Sequence, residues 1–191
     1  MYDSANKKWV TGPGQSSRIN VYGDGLGTRF ITTDTFDGDY VFYFDVAATQ
    51  PRQLWVHDFD LYLWADVSGI YLHEIGMGST IENICIRYIY PKHHEDTNYR
   101  KGIYCKSSTV STFRNIKIVG KISKNTSKTN DDGFTGLFYG PRNIGIMIAE
   151  AYSTRIVECD IIFCKWALYL NSGSNNTIEL CRIDENDFGI Y

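Results

Sequence analysis

Apolar positions recur along this chain in two short motifs. The longer reads apolar-x-x-apolar-x-apolar: Val56, Phe59, Leu61; Ile81, Ile84, Ile86; Phe113, Ile116, Ile118; Ile156, Cys159, Ile161; and Ile178, Cys181, Ile183. The shorter lies upstream and reads apolar-x-apolar, usually behind a glycine. It occurs as Phe42-Tyr43-Phe44, Gly69-Ile70-Tyr71-Leu72, Gly102-Ile103-Tyr104-Cys105, Gly145-Ile146-Met147-Ile148, Ala167-Leu168-Tyr169-Leu170 and Gly189-Ile190-Tyr191. Alternation within each motif predicts strands, and two short strands joined by one bend fit no amphipathic helix.

The motifs keep a fixed distance. Ile146 to Leu168, Leu168 to Ile190, Ile156 to Ile178, Cys159 to Cys181 and Ile161 to Ile183 are all 22 residues. A unit of that size with three short strands cannot bury its inner face alone, whereas stacked copies share one continuous core. The prediction is an all-β fold, a parallel β-helix solenoid of about six to seven coils of roughly 22 residues with two loop insertions. The glycine-led motif is strand B. Strand C carries the first residue of the longer motif and strand A its last two, so C turns into A at Asp58, Asn83, Asn115 or Glu158. Between B and C the turn is short, as at Asn171-Ser172-Gly173-Ser174-Asn175-Asn176, whose residues suit tight turns. Extra length follows strand A at 88–101 and at 120–144. The second insertion lacks the apolar pattern and is rich in Lys, Asn, Ser and Thr, so both are read as loops. One β domain spans 19–191, behind an N-terminal extension at 1–18.

Composition agrees with strands. The chain has 21 Ile against 9 Leu and 7 Ala, with 9 Val and 15 Thr, and β-branched residues favour pleated surfaces where helices favour Ala and Leu. A formal net charge of −3 without Lys/Arg blocks argues against a nucleic-acid partner. No apolar run approaches the roughly 20 residues of a membrane span, so no membrane insertion is predicted. Met1-Tyr2-Asp3-Ser4-Ala5-Asn6 lacks the layout of a secretory signal. Five cysteines, none in a Cys-x-x-Cys pair, support neither a zinc site nor a disulfide framework. No cofactor is predicted. Cys159 and Cys181 point inward as small hydrophobes.

The segment Ile19-Asn20-Val21-Tyr22-Gly23-Asp24-Gly25-Leu26-Gly27-Thr28 resembles the first coil of the pectate-lyase-like superfamily, which includes many bacteriophage tailspike proteins. The later Gly-Ile-Tyr-Leu coils are similar, and the resemblance covers roughly 19–191. It implies a right-handed coil with variable loops after strand A. For tailspikes it further implies a homotrimer on the virion tail that binds or depolymerises bacterial surface polysaccharide in host recognition. Two departures stand out: no amphipathic cap helix precedes the first coil, and the chain stops in strand B of an unfinished one. The expectation is a piece of a longer chain, truncated at its C-terminus.

Alternation then sorts the outward positions. Strand B presents Tyr43, Tyr71, Tyr104, Met147, Tyr169 and Tyr191, an aromatic column suited to self-stacking, to subunit contact or to sugar stacking. Strand A presents Asp60, Cys85, Lys117, Asp160 and Arg182, then Tyr62, Arg87, Val119, Ile162 and Asp184. The resemblance implies that this face, walled by the loops after strand A, is a polysaccharide groove. Asp160 lies between Lys117 and Arg182 and is expected to stay ionised. Asp184, beside Ile162, is expected to hold its proton more tightly. Their separation of roughly 8 Å suits the base and acid of an inverting glycosidase, with Lys117, Arg182, Arg87, Asp60 and Tyr62 binding substrate. A lyase would instead place Lys117 or Arg182 near an acidic sugar, and a surface salt-bridge ladder needs no substrate at all. His93-His94-Glu95-Asp96 reads as a solvated loop, and Asn130-Asp131-Asp132-Gly133 as turn formers or groove carboxylates. Three functions follow: a tailspike-type polysaccharide-binding protein with possible depolymerase activity, a non-catalytic assembly β-helix, or a bacterial polysaccharide lyase or epimerase.

Overall fold

The structure is a computed structural model that describes residues 2–3, 8–9, 18–33, 35–45, 53–89, 100–109, 111–120, 122–123, 138–139 and 143–191. The strands are β1 (Tyr2–Asp3), β2 (Lys8–Trp9), β3 (Arg18–Tyr22), β4 (Arg29–Ile31), β5 (Tyr40–Asp45), β6 (Gln53–Leu63), β7 (Ser68–His73), β8 (Thr80–Tyr88), β9 (Lys101–Lys106) and β10 (Thr112–Val119). They continue with β11 (Ile122–Ser123), β12 (Phe138–Tyr139), β13 (Ile144–Tyr152), β14 (Arg155–Val157), β15 (Asp160–Ile162), β16 (Trp166–Ser174), β17 (Thr177–Glu179), β18 (Arg182–Asp184) and β19 (Phe188–Ile190). Among the described residues the only helical segment is one 3-10 turn at Gly25–Gly27. The fold is all-β.

Two large sheets carry it, and every pairing within them is parallel. The first runs β3-β6-β8-β10-β14-β17, with β4 beside β6 and β15 joining β10 to β18. The second runs β5-β7-β9-β13-β16-β19. From β5 onward the chain visits the sheets alternately, and one visit to each makes a rung. Across 120–144, β9 pairs directly with β13, and β10 with β14 and β15, so β11 and β12 join neither large sheet. Instead β11 and β12 pair with each other, antiparallel.

The bend inside each strand of the first sheet has a backbone cause. Asp58, Asn83, Asn115, Glu158 and Leu180 adopt left-handed φ of 61°, 55°, 50°, 56° and 54°. That single turn of the chain lets residues three apart, such as Val56 and Phe59, face the same core. Asp and Asn tolerate this conformation better than other side-chain-bearing residues. The first three also bond in a column, Asn83 Nδ2 donating to Asp58 Oδ1 and Asn115 Nδ2 to Asn83 Oδ1, each at 2.8 Å. At Glu158 and Leu180 the strand breaks outright, into β14 with β15 and β17 with β18.

The second sheet bends differently from the expected short turn at 171–176. Strand β16 runs on to Ser174, and left-handed Ser172 and Asn175 do the turning. Stacked backbone bonds therefore continue through most of the corner.

The core lies between the sheets. Val56, Leu61, Ile81, Ile86, Phe113, Ile118, Ile156 and Ile161 from one meet Ile70, Leu72, Ile103, Ile146, Ile148 and Leu168 from the other, all fully buried. Each contributes about 1.5–3 kcal/mol by leaving water. Close stacking also explains the glycine that leads strand B. A Cβ on Gly102 would sit 2.7 Å from the Gly145 carbonyl oxygen and 2.8 Å from Ile118 Cδ1. Gly69 and Gly145 are equally confined, since a Cβ on them would sit 2.4 Å from the carbonyl oxygens of Gly102 and Ala167, respectively.

Candidate functional site

On the outer face of the first sheet, register sets Asp60, Cys85, Lys117, Asp160 and Arg182 side by side, and next to them Tyr62, Arg87, Val119, Ile162 and Asp184. Stacked strands place successive members about 4.8 Å apart. The charges pair along the column. Lys117 Nζ lies 3.2 Å from Asp160 Oδ2, Arg182 Nε 4.0 Å from Asp160 Oδ1, and Arg182 Nη2 3.1 Å from Asp184 Oδ2. Higher up, Arg29 lies 4.0 Å from Asp60 and covers the Tyr62 ring at 4.6 Å, with Arg87 at 5.9 Å from the same ring.

This geometry is a relay of ion pairs. Asp184 has no apolar enclosure. Its side chain is 51% exposed and hydrogen-bonded by Arg182, the same guanidinium that faces Asp160. Asp184, and then Asp160, in turn push Arg182 further up. The sequence placed Asp184 by its backbone neighbour Ile162 and missed the longer reach of Arg182.

The second sheet carries the aromatic column. Tyr43 and Tyr71 have ring centroids 4.7 Å apart, Tyr71 and Tyr104 5.2 Å, and Tyr169 and Tyr191 5.1 Å. Tyr40 adds a ring 5.1 Å from Tyr71, leaving Tyr71 only 9% exposed. Burial pushes the phenols of Tyr43, Tyr71 and Tyr104 up, so all three stay neutral at physiological pH. Met147 interrupts the column between Tyr104 and Tyr169.

Beside that interruption lies a cleft of about 400 Å³. It is lined by Met147, Tyr169 and Tyr191 of the column and by Lys101, Ile144, Trp166 and Phe188 beside it. Trp166 and Phe188 are stacked at 5.8 Å, and Tyr169 meets the Trp166 ring edge-on at 6.0 Å. Lys165 Nζ is 5.4 Å from the Trp166 centroid, and Lys101 Nζ 5.6 Å from that of Tyr104. Desolvation, then the charge of Arg100, pushes the Lys101 amine down. Aromatic walls with a few polar tips suit a flat, partly apolar ligand.

Of the cleft residues, the sequence singled out the Tyr column but passed over Lys101, Ile144, Trp166 and Phe188. Their signal was present. Each directly precedes the glycine or alanine that opens strand B, and Ile144, Trp166 and Phe188 keep the 22-residue spacing. Both loop clusters, His93-His94-Glu95-Asp96 and Asn130-Asp131-Asp132-Gly133, lie outside the described residues. Comparison of the chain with protein-family models, with curated proteins and with solved structures finds no match.

Proposed function

We propose that the chain is a right-handed parallel β-helix solenoid of the tailspike type, and that it binds bacterial surface polysaccharide without cleaving it. Two parallel sheets visited alternately, in unbroken register and with a 22-residue repeat, support the solenoid. The right hand follows from the near-universal handedness of parallel crossovers. The observation that carries the binding reading is the aromatic cleft beside Met147, whose Trp166, Tyr169 and Phe188 rings offer stacking faces to a pyranose. On the other sheet, Asp160 and Asp184 are both spoken for by Arg182, which favours an inert charged face over a hydrolytic pair. In this reading the chain belongs to a homotrimer on a virion tail and serves host recognition.

A glycan array of bacterial capsular and O-antigen polysaccharides, followed by titration of each hit, tests the proposal. Trp166→Ala is expected to weaken binding about threefold to tenfold, the worth of one aromatic contact of roughly 0.5–1.5 kcal/mol. Asp160→Asn with Asp184→Asn is expected to leave affinity and glycan length unchanged. An array with no hits for the wild-type chain, or glycan shortened by the wild type alone, sinks this reading.

A further inference from the structure

The other half of the first sheet's outer face holds a second aromatic surface. Tyr22, His57 and Trp55 lie on β3 and β6, the two outer rings 65% and 48% exposed. The Tyr22 and His57 rings stack at 5.7 Å and 14°, those of His57 and Trp55 at 4.2 Å and 28°. Three rings thus lie nearly parallel across two rungs.

Their setting is fixed by polar bonds. Trp55 Nε1 donates to Glu82 Oε1 at 2.8 Å, and Arg114 Nε and Nη2 occupy Oε2. His57 Nδ1 is 2.7 Å from Asp58 Oδ2, and its Nε2 is 3.1 Å from Asn20 Oδ1. The two carboxylates at the strip are each bonded, Glu82 by Arg114 and Trp55, and Asp58 through Oδ2 to His57 Nδ1 and through Oδ1 to Asn83. Asn20, Asn83 and Asn115 add an exposed amide rim. The surface offers apolar faces and hydrogen-bonding edges.

We propose that this strip binds a neutral hexopyranose chain, separately from the cleft of the second sheet. A pyranose has one flat apolar face and a rim of hydroxyls, which matches rings edged by amides. The Glu82 and Asp58 carboxylates beside the rings would repel an ionised uronate, which favours a neutral sugar. Rings held from two sides lose little freedom on binding. The proposal stands on this face alone and does not require the cleft to bind polysaccharide.

Saturation-transfer NMR on the 191-residue chain, with neutral hexasaccharides of glucose, galactose and mannose and one hexauronate, tests it. Transfer to at least one neutral hexasaccharide is expected, reduced about tenfold by Trp55→Ala and by Tyr22→Ala and unmoved by Trp166→Ala. Tyr22 is the more exposed ring, so its variant keeps the test valid should Trp55→Ala unfold. Glu82→Gln, which loosens the Trp55 ring, should lower affinity severalfold. Transfer from no neutral hexasaccharide, or transfer indifferent to Trp55 and Tyr22, overturns the proposal. So does preference for the hexauronate, or concentration-dependent self-association that Trp55→Ala abolishes. Failure of the cleft reading is seen separately, as a Trp166→Ala variant that binds bacterial polysaccharide like the wild type.

Discussion

Leu180 shows how strictly the corner position is set. It occupies the same place as Asp58, Asn83, Asn115 and Glu158, with the same left-handed backbone, yet it is leucine and 82% exposed. A leucine there bears the steric cost of the left-handed region, about 1–2 kcal/mol, which asparagine largely avoids. Leu180→Asn forfeits almost no burial and should stabilise the chain by about 1 kcal/mol, raising the melting temperature by about 2–4 °C. Calorimetry checks this; a lower melting temperature would mean that Leu180 makes a contact worth more than its strain.

The strands of the first sheet are tied together by side chains as well as by backbone. Glu82 on β8 links β6 through Trp55 and β10 through Arg114. Burial alone would push its carboxyl up, but the hydrogen bonds from Arg114 and Trp55 more than offset this and hold it below the ordinary 4.5. A depressed carboxyl stabilises the fold above its unfolded value and loses that effect as pH falls through its folded one. Asp58, bonded by His57 and Asn83, is likewise held below the ordinary 3.8. Thermal melts should accordingly be level in these terms from neutral pH to about 5 and decline below about 4.5. Glu82→Gln should start lower at neutral pH and decline less; a variant that tracks the wild type across the range would rule the linkage out.

At this scale much was legible in the sequence. Asp58, Asn83, Asn115 and Glu158 stood out because only a corner lets apolar residues three apart share a face. The strand-A columns then followed from alternation, and the register sets the same residues in line. What strands alone do not determine is where long side chains reach. Arg182 turns to Asp184 along its own strand as well as to Asp160, and Trp55 bends to Glu82 on the next. The cleft residues were legible only as a spacing, and that they enclose a cleft was not, for a related reason. It depends on which residue is short, Met147, within a column that is otherwise aromatic.

Among the described residues, the molecule pairs each repeat of strands only with the repeat before and the repeat after it. Its final described rung is less covered, with Ile178, Cys181 and Ile183 only partly buried and Phe188, Ile190 and Tyr191 exposed. Apart from that end, the aromatic column and the cleft give the second sheet an outward apolar surface, of the kind that subunit contacts cover. If the homotrimer of the proposed function forms through it, sedimentation should shift from monomer to trimer as concentration rises. Tyr191→Ser with Phe188→Ser should displace that shift to higher concentration. A single monomeric species throughout would remove the trimer from the proposal.

The left-handed corner residue has a further consequence, which concerns how such a chain tolerates change. An alternating strand has parity, odd positions in and even positions out, and each corner flips it once. Deleting or adding one residue between Val56 and Phe59 would turn the remainder of β6 inside out, presenting Asp60 and Tyr62 to the core and Leu61 to solvent. Length at the corners is thus conserved by geometry, while segments that join one rung to the next can grow by any number without disturbing a single inward position. The frame is rigid in count and the connections are free, so variation in length has somewhere to accumulate.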